Sequence, residues 1–271
     1  MTAAYTRELD VALALAREAG AEVVRMRPGD LGVEMKPGDE PVTLADKRAS
    51  ELITAGLARA FVDDPIISEE APPPPGALGA PRAWFIDPID GTKDFIRGGD
   101  GFSVMIGLVQ DGRPVLGVVY QPTLDRAFYA TPAGAFVRIA DDVRALAVSA
   151  VATAGEARLV ASASHRTVET DRIKATLGIS DEQNIGSVGV KLCLIAMGVR
   201  DLYVNPAART KAWDTCAPEA ILVGAGGRLT DLFDAPIAYD VLPQRRGLVA
   251  SNGRIHAEVV GRVGALFRHL S

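Results

Sequence analysis

Trp84-Phe85-Ile86-Asp87-Pro88-Ile89-Asp90-Gly91-Thr92 is the stretch of sequence that decides the fold. Its apolar start predicts a buried strand, and the strand ends in two nearby carboxylates, Asp87 and Asp90. Pro88 and Gly91 predict a tight turn at this point, since proline fixes φ and glycine allows backbone angles that other residues avoid.

The residue types in this stretch indicate a particular chemistry. Carboxylate oxygens clustered on a rigid turn are ligands that Mg²⁺ prefers, and the backbone amides of Gly91 and Thr92 would suit a phosphate group. Acids after a strand are also common in plain solvated turns. The interpretation therefore depends on matching residues elsewhere in the chain.

The composition is typical of a soluble globular protein. Of the 271 residues, 48% are hydrophobic and 23% are charged, and the net charge is −5. A negative chain argues against binding a nucleic-acid backbone but not against a small anion, whose charge a metal can offset. No apolar run reaches the roughly 18 residues of a membrane span, and the charged N-terminal segment does not resemble a signal peptide. Cys193 and Cys216 lie in apolar helical patterns and predict reduced core residues. We therefore expect a cytoplasmic protein with neither nucleic-acid nor membrane partners.

Residues 1–150 predict an antiparallel sheet that carries two helices. Apolar residues at helical spacing predict the first helix over residues 6–26, and a second begins after Thr43, a good N-cap, and runs to about residue 61. Asp111-Gly112 separates two apolar runs and is a strong hairpin signature. A short strand is expected at residues 33–35, and the strands of the sheet are expected near residues 102–109, 114–120, 127–129 and 135–139.

Residues 151–271 predict a smaller α/β unit, because strands and helices alternate along the sequence. The expected strands cover residues 159–161, 202–204 and 248–250, and the expected helices cover residues 168–177, 188–197 and 214–223. The boundary near residue 150 contains no Gly/Ser-rich spacer. We therefore expect two subdomains, 1–150 and 151–271, that are not flexibly linked.

Other acidic residues could join the central pair. Glu69 and Glu70 end a short apolar run, and this strand end could lie beside Asp87. Asp46 lies in the first turn of the second helix, and Asp214 lies at the start of a later one. Each acid also has a plain structural explanation. The two glutamates could be a solvated strand end, Asp46 could be half of a capping box, and Asp214 could be an N-cap.

Four segments are informative together, in this order along the chain: Val42–Asp46, Ser68–Glu70, Asp87–Thr92 and Trp213–Ala217. They resemble the lithium-sensitive, Mg²⁺-dependent phosphatase family that includes inositol monophosphatases, fructose bisphosphatases and bisphosphate nucleotidases. The resemblance covers nearly the whole chain. It implies an α/β fold, a layered α-β-α-β-α sandwich with an antiparallel sheet and a smaller α/β half.

The resemblance also implies a set of metal ligands. Glu69, Asp87 and the carbonyl of Ile89 match the ligands of one Mg²⁺. Asp87, Asp90 and Asp214 match the ligands of a second. The implied cofactor is therefore Mg²⁺, with two or three ions per active site.

Catalytic and phosphate-binding roles follow from the same resemblance. Thr92 matches the hydroxyl that, together with Glu69, orients the attacking water. Asp46 matches the acid that supports Thr92. The amides of Gly91 and Thr92 match the groups that hold the phosphate.

Several segments are most similar to 3′(2′),5′-bisphosphate nucleotidases of the CysQ type: Gly91–Gly98, Ser162–His165, Gly186–Lys191 and Trp213–Glu219. The resemblance places Ser164 and His165 beside the nucleotide. It also places Gly189 in a glycine-rich turn from which Lys191 can meet a second phosphate. Inositol monophosphatases carry a hydroxyl-binding glutamate seven residues before the metal-binding aspartate, where this chain has Ala207.

The sequence therefore predicts Mg²⁺-dependent removal of the 3′-phosphate from 3′-phosphoadenosine 5′-phosphate, with 3′-phosphoadenylyl sulfate as a further candidate substrate. The alternatives are an inositol-1-phosphate or sugar-bisphosphate phosphatase on the same metal site, and a non-catalytic sensor. Three of these substrate-side residues also have plain structural alternatives. His165 could be a surface-loop residue, Gly189 could be part of a helix entry, and Lys191 could be a solvated lysine. The expected partner is a small phosphorylated nucleotide, and a monomer is favoured over a homodimer.

Overall fold

Residues 4–163, 167–207 and 210–270 are described by the computed structural model of the chain. The predicted site residues Ser164 and His165 lie outside the described residues. The helices within these ranges are α1 (Thr6–Met26), α2 (Leu44–Ala60), α3 (Thr92–Ile96), α4 (Val168–Leu177), α5 (Val188–Ala196), α6 (Ala212–Gly224) and α7 (His256–Gly264). The strands are β1 (Glu34–Lys36), β2 (Glu40–Val42), β3 (Ile66–Ser68), β4 (Arg82–Asp90), β5 (Ser103–Gln110), β6 (Arg113–Gln121), β7 (Arg126–Thr131), β8 (Gly134–Ile139), β9 (Asp142–Ala145), β10 (Leu159–Ser162), β11 (Glu182–Ile185), β12 (Leu202–Asn205), β13 (Arg228–Thr230) and β14 (Leu248–Ser251).

These strands form two large sheets and a small hairpin. The first sheet has seven strands in the order β3-β4-β5-β6-β7-β8-β9. Its neighbouring strands are antiparallel except for β3 and β4, which are parallel. The second sheet has five strands in the order β11-β10-β12-β14-β13, and β10 is parallel to both of its neighbours. β1 and β2 form the antiparallel hairpin.

The sheets and helices stack in five layers. α1 and α2 cover one face of the seven-stranded sheet, and α5 and α6 lie between the two sheets. α4 and α7 cover the outer face of the five-stranded sheet. α6 is buried around most of its circumference, as a helix between two sheets must be. The predicted α-β-α-β-α sandwich is therefore confirmed, whereas the division near residue 150 stays a prediction.

α1 shows how the sequence produces these layers. Its buried residues Ala12, Leu15, Ala19 and Val23 recur at helical spacing and face the sheet, and the remaining faces are largely exposed. Its bounds agree with the prediction. Among the described residues, no helix has both the length and the apolar character needed to cross a membrane.

The hairpin predicted at Asp111-Gly112 joins β5 and β6. Asp111 has φ 50° and Gly112 has φ 74°, the left-handed pair that a type I′ turn requires. Four strands are additional to the prediction: β2, β9, β11 and β13. Each has three or four residues, which is too short for a hydrophobic period to stand out.

β4 differs from its prediction at the end that carries the acids. The sequence predicts a tight turn at Pro88, but the strand continues to Asp90. Both Asp87 and Asp90 pair with β5, and the register shifts between them. Such a bulge accommodates a proline, which has no N–H to donate to the neighbouring strand. Gly91, at φ 94°, then turns the chain into α3, so the two acids are fixed on a strand and not on a loop.

α6 approaches the seven-stranded sheet over two glycines. Gly107 and Gly117 are paired residues of β5 and β6. A Cβ at Gly107 would lie 2.4 Å from Cys216 Sγ, and a Cβ at Gly117 would lie 2.1 Å from the Ala217 carbonyl oxygen. A side chain at either glycine would push the helix away from the sheet, and Asp214 would move with it.

Gly117→Ala is therefore expected to lower the free energy of unfolding by about 3 kcal/mol, because a backbone carbonyl cannot yield as a flexible side chain would. Urea unfolding followed by circular dichroism measures the change. Gly261→Ala in α7 is the matched control. A Cβ there meets nothing within 4 Å, so this variant should be up to about 1 kcal/mol more stable. Equal stability of Gly117→Ala and the parent chain would contradict the close approach of α6.

Candidate active site

The four acidic side chains predicted as metal ligands line one cavity of about 490 Å³. Asp87 and Asp90 end β4, and Glu69 follows β3, where its N–H donates to the Ile86 carbonyl at 3.1 Å. Because β3 and β4 are parallel, their carboxyl ends lie at the same edge of the sheet. Asp214 comes from the first turn of α6. The structure thus brings together four residues that the sequence assigns to one site.

Burial and mutual repulsion disfavour the ionised forms of these acids. Burial is the main cause that raises the pKa of Asp87 well above its usual value, and the charges of the other three acids add to it. Burial and the neighbouring acids also raise the pKa of Asp214. Burial raises the pKa of Asp90 even though Lys191 and hydrogen bonds oppose the shift. The ionised forms would therefore repel one another in the empty site, and a bound cation would favour them.

Thr92 lies beside these acids and is held by Asp46. The Thr92 hydroxyl is 3.1 Å from Asp46 Oδ1 and 3.0 Å from the Ile89 carbonyl oxygen. Asp46 Oδ2 accepts from the Thr43 amide at 2.8 Å, which completes a capping box at the start of α2. Asp46 thus both caps α2 and reaches Thr92. Burial raises the pKa of Asp46 to about 6, and Gly91 and Thr92 both line the cavity.

Asp90 is held from the other half of the chain. Ser187 Oγ donates to Asp90 Oδ2 at 2.6 Å, and the Gly189 amide donates to the same oxygen at 2.7 Å. A Cβ at Gly189 would lie 2.3 Å from Met105 Sδ, and Gly189 is not part of the cavity wall. The structure therefore places Gly189 behind Asp90, so its amide would have to leave Asp90 to contact a substrate.

Asp214 is not the N-cap of its helix. The sequence places the helix start at Asp214, whereas α6 starts at Ala212, and Asp214 Oδ2 accepts from the Lys211 amide at 2.7 Å. The earlier start has a tertiary cause. The Ala212 amide donates to the Leu242 carbonyl, and Lys211 forms a β-bridge with Pro243. Because Asp214 lies inside the first turn, its position is fixed by the helix itself.

Lys36 is a site residue that the sequence did not reveal. Its ammonium, carried by β1, is 2.9 Å from Glu69 Oε1 and 2.7 Å from Glu70 Oε1. Burial by itself would lower the pKa of Lys36, but the charges of the two glutamates outweigh burial and raise it. Lys36 belongs to no motif, and only the folded hairpin brings it to the acids.

The acids do not form a closed metal cage. Among residues 4–163, 167–207 and 210–270, no group of three or more acidic, histidine or cysteine side chains is close enough to hold a metal ion. Lys36 engages Glu69, and Ser187 engages Asp90. The donor set nevertheless fits a hard divalent cation. Asp87 Oδ1 is buried without a hydrogen-bond partner, and its acidic neighbours supply further carboxylate oxygens.

The wall of the same cavity also contains basic and aromatic residues, Lys93, Lys191, Lys211 and Tyr203. Lys191 is buried, and its ammonium donates to two backbone carbonyls of the preceding turn at 3.1 Å and 2.8 Å. It also lies 5.1 Å from the centre of the Tyr203 ring. Burial lowers the pKa of Lys191 to about 8. The alternative of a solvated Lys191 is therefore wrong.

A second cavity, of about 580 Å³, lies at the start of β4 and is lined by Phe85, Arg113 and Tyr239 among others. Behind it, the Tyr239 hydroxyl donates to Glu219 at 2.5 Å, and burial raises the pKa of Glu219 to about 7. None of the predicted site residues lines this cavity. We therefore assign the chemistry to the cavity that contains the four acids.

The chain matches the model of a known family over most of its length. The model of the inositol monophosphatase family matches residues 5–266. The chain belongs to the inositol monophosphatase family. The resemblance inferred from four short segments is therefore confirmed, and so is the prediction that the chain is a phosphatase.

Curated relatives within this family have more than one name. A 3′(2′),5′-bisphosphate nucleotidase CysQ from Salmonella typhimurium is 37% identical over 228 residues, which cover 83% of this chain and 91% of the relative. A histidinol-phosphatase from Mycobacterium tuberculosis is 35% identical over 266 residues, which cover 95% of this chain and 98% of the relative. Sequence similarity alone therefore leaves the substrate to be argued from the cavity.

Solved structures of family members share the fold. The inositol monophosphatase (IMPase) from Thermotoga maritima superimposes with a TM-score of 0.83 at 27% identity, covering 98% of this chain and all of the other. The inositol monophosphatase from Anabaena superimposes with a TM-score of 0.79 at 25% identity, covering 96% of each chain. The layered architecture described above is thus that of the inositol monophosphatase family.

Proposed function

We propose that the chain is a 3′(2′),5′-bisphosphate nucleotidase that removes the 3′-phosphate of 3′-phosphoadenosine 5′-phosphate, with 3′-phosphoadenylyl sulfate as a further substrate. The observation that carries the proposal is that one cavity combines the four acids with three lysines, Lys93, Lys191 and Lys211. A bisphosphate nucleotide has a second anionic group that such a wall attracts.

The same wall disfavours other substrates of the family. Ala207 lines the cavity where an inositol monophosphatase has a carboxylate for sugar hydroxyls. Histidinol phosphate carries an amino group, whose positive charge a lysine-lined wall repels. Glu40 is an additional acid of the cavity, and its charge acts on Asp214. The nucleotidase relative from Salmonella typhimurium supports the same choice.

Mg²⁺ is the proposed cofactor, with two ions held by the four acids. Glu69, Asp87 and the Ile89 carbonyl would hold one ion. Asp87, Asp90 and Asp214 would hold the second. When bound, Mg²⁺ supplies positive charge that offsets the charge of the phosphate ester and of its leaving oxygen.

The protein itself orients the attacking water. The Thr92 hydroxyl has one hydrogen, and when this hydrogen is donated to Asp46 the oxygen is left to accept from a water. Glu69, on the neighbouring strand end, can accept the other hydrogen of that water. Two acceptors fix the water in the direction of the phosphorus, and no covalent intermediate with the protein is needed.

The test is phosphate release with Mg²⁺ from 3′-phosphoadenosine 5′-phosphate, inositol-1-phosphate and histidinol phosphate, each with and without Li⁺. A large preference for the nucleotide, with inhibition by Li⁺, is the expected result. A preference for histidinol phosphate or the inositol ester would keep the proposed metal site and overturn the nucleotide assignment.

Lys211→Gln is expected to raise KM for the bisphosphate nucleotide by about 10-fold while kcat changes little, because the loss of one charge-assisted contact costs about 1.4 kcal/mol of binding. Turnover of p-nitrophenyl phosphate, which lacks a second phosphate, should not change. Lys174→Gln is the matched control, since Lys174 pairs with Glu182 and does not line the cavity. An equal rise in KM for both substrates would contradict a contact between Lys211 and the second phosphate.

We also propose that the protein is a monomer and that it is cytoplasmic. A small nucleotide bound in a cavity within one chain needs no second copy to complete the site. Light scattering of the purified protein would measure the mass of one chain for a monomer and of two chains for a homodimer.

A further inference from the structure

Two buried serine hydroxyls lie behind Asp90. Ser187 Oγ is 2.6 Å from Asp90 Oδ2, and Ser103 Oγ is 3.0 Å from Ser187 Oγ. Both serines are 0% exposed, and neither lines the cavity. Ser103 is the first residue of β5 and Ser187 is the N-cap of α5, so the contacts join two strands and a helix.

The hydrogen bonds between these residues can be arranged in only one donor-to-acceptor order. The Val190 amide donates to Ser187 Oγ at 2.9 Å, which uses one lone pair of that oxygen. An ionised Asp90 can only accept, so the Ser187 hydroxyl donates to Asp90. Ser187 then has no second hydrogen to give, and the Ser103 hydroxyl must donate to it. The direction is therefore from Ser103 to Ser187 to Asp90.

These donors fix the orientation of the Asp90 carboxylate. The Ser187 hydroxyl and the Gly189 amide converge on the same oxygen, Oδ2. Asp90 and Ser103 are also paired across β4 and β5, so the strand and the hydroxyl chain hold the same residue. With Oδ2 occupied by two donors, Oδ1 is the oxygen that remains for a cation.

We infer that Ser187, supported by Ser103, is a positioning residue that sets the Mg²⁺ affinity of Asp90. The inference rests on the proposed function, in which Asp90 is a Mg²⁺ ligand. Neither serine lines the cavity, so both would act through Asp90. Removing a hydrogen-bond partner of a metal ligand typically weakens metal binding by about 10- to 100-fold.

The test is Mg²⁺ binding to the full chain without substrate, measured by titration calorimetry. Ser187→Ala should weaken Mg²⁺ binding by about 10-fold or more, and Ser103→Ala by about 3-fold, because Ser103 acts through one further hydroxyl. Ser187→Thr, which keeps a hydroxyl, should restore the affinity. Ser251→Ala is the control. Ser251 is buried and bonds His256 and the Gly253 amide, and it should leave Mg²⁺ binding unchanged.

Ser187 also caps α5, so melting temperatures are measured for every variant. If Ser187→Ala does not fold, Ser187→Gly replaces it, because glycine is tolerated at an N-cap and removes the donor. Unchanged Mg²⁺ affinity in the folded Ser187 variant overturns the inference and leaves the proposed function intact. Absence of Mg²⁺ binding by the parent chain overturns both.

Discussion

Asp87→Asn is expected to lower kcat by about 10³-fold or more and, at the same time, to raise the melting temperature of the metal-free protein. Asp87 is the acid shared by both proposed Mg²⁺ sites, and its loss removes several kcal/mol of charge stabilisation from the transition state. It is also buried among three other acids, so its charge opposes folding when no cation is bound. Phosphate release and thermal unfolding in EDTA measure the two effects.

The stabilising effect has a definite dependence on pH. The pKa of Asp87 is raised in the folded chain, so the folded state binds this proton more tightly than the unfolded state does. Stability from this group is therefore greatest at low pH and is lost as the pH rises through the folded pKa. The advantage of Asp87→Asn in EDTA should be large at neutral pH and shrink toward about pH 4, where the unfolded carboxyl also binds its proton.

Asp63→Asn is the matched control, since Asp63 is exposed and lies outside both cavities. It should change neither kcat nor the melting temperature in EDTA. Added Mg²⁺ should stabilise the parent chain and the Asp63 variant by mass action and stabilise Asp87→Asn much less. Full activity in Asp87→Asn would contradict the assignment of Asp87 as a shared ligand.

Thr92→Ala is expected to lower kcat by about 10²- to 10³-fold with little change in KM, because it removes an acceptor that orients the water and leaves the acids in place. Thr92→Ser keeps the hydroxyl within reach of Asp46 and should retain most of the activity. Steady-state kinetics with 3′-phosphoadenosine 5′-phosphate make the comparison.

Asp46 supplies the internal check on this prediction. Asp46→Asn acts through the same hydroxyl, so the double variant with Thr92→Ala should be little slower than Thr92→Ala alone. Strictly additive losses would show that Asp46 and Thr92 act separately. Activity of Thr92→Ala within 2-fold of the parent chain would remove Thr92 from the mechanism.

The sequence alone predicted the helices and strands that depend on local patterns of residues. The bounds of α1 follow from one apolar stripe, and the hairpin at Asp111-Gly112 follows from two residues that accept positive φ. The acids of the candidate site could also be identified from the sequence, since each follows a strand or lies at the start of a helix. Their convergence rests on a parallel pair of strands, whose carboxyl ends share an edge.

Features that depend on distant pairing were not accessible from the sequence. The bulge at Pro88 needs a partner strand with shifted register, and the early start of α6 needs the segment that pairs with Lys211. Lys36 and Ser103 likewise belong to no sequence motif. Their link to the site appears only in the fold, where Lys36 contacts Glu69 and Ser103 contacts Ser187. Local patterns contain no information on such contacts.

The close approach of α6 to Gly107 and Gly117 has a consequence for the order of folding. Asp87 and Asp90 belong to a sheet built mainly from neighbouring hairpins, whereas Asp214 arrives with a helix from the other half of the sequence. Contacts between distant segments form late, because closing a long loop costs entropy before any contact is gained. An intermediate with only the first sheet would lack part of the cation site. Mg²⁺ should therefore slow unfolding without accelerating early collapse. The effect of Mg²⁺ on the unfolding rate would then report on the late step in which α6 packs on the first sheet.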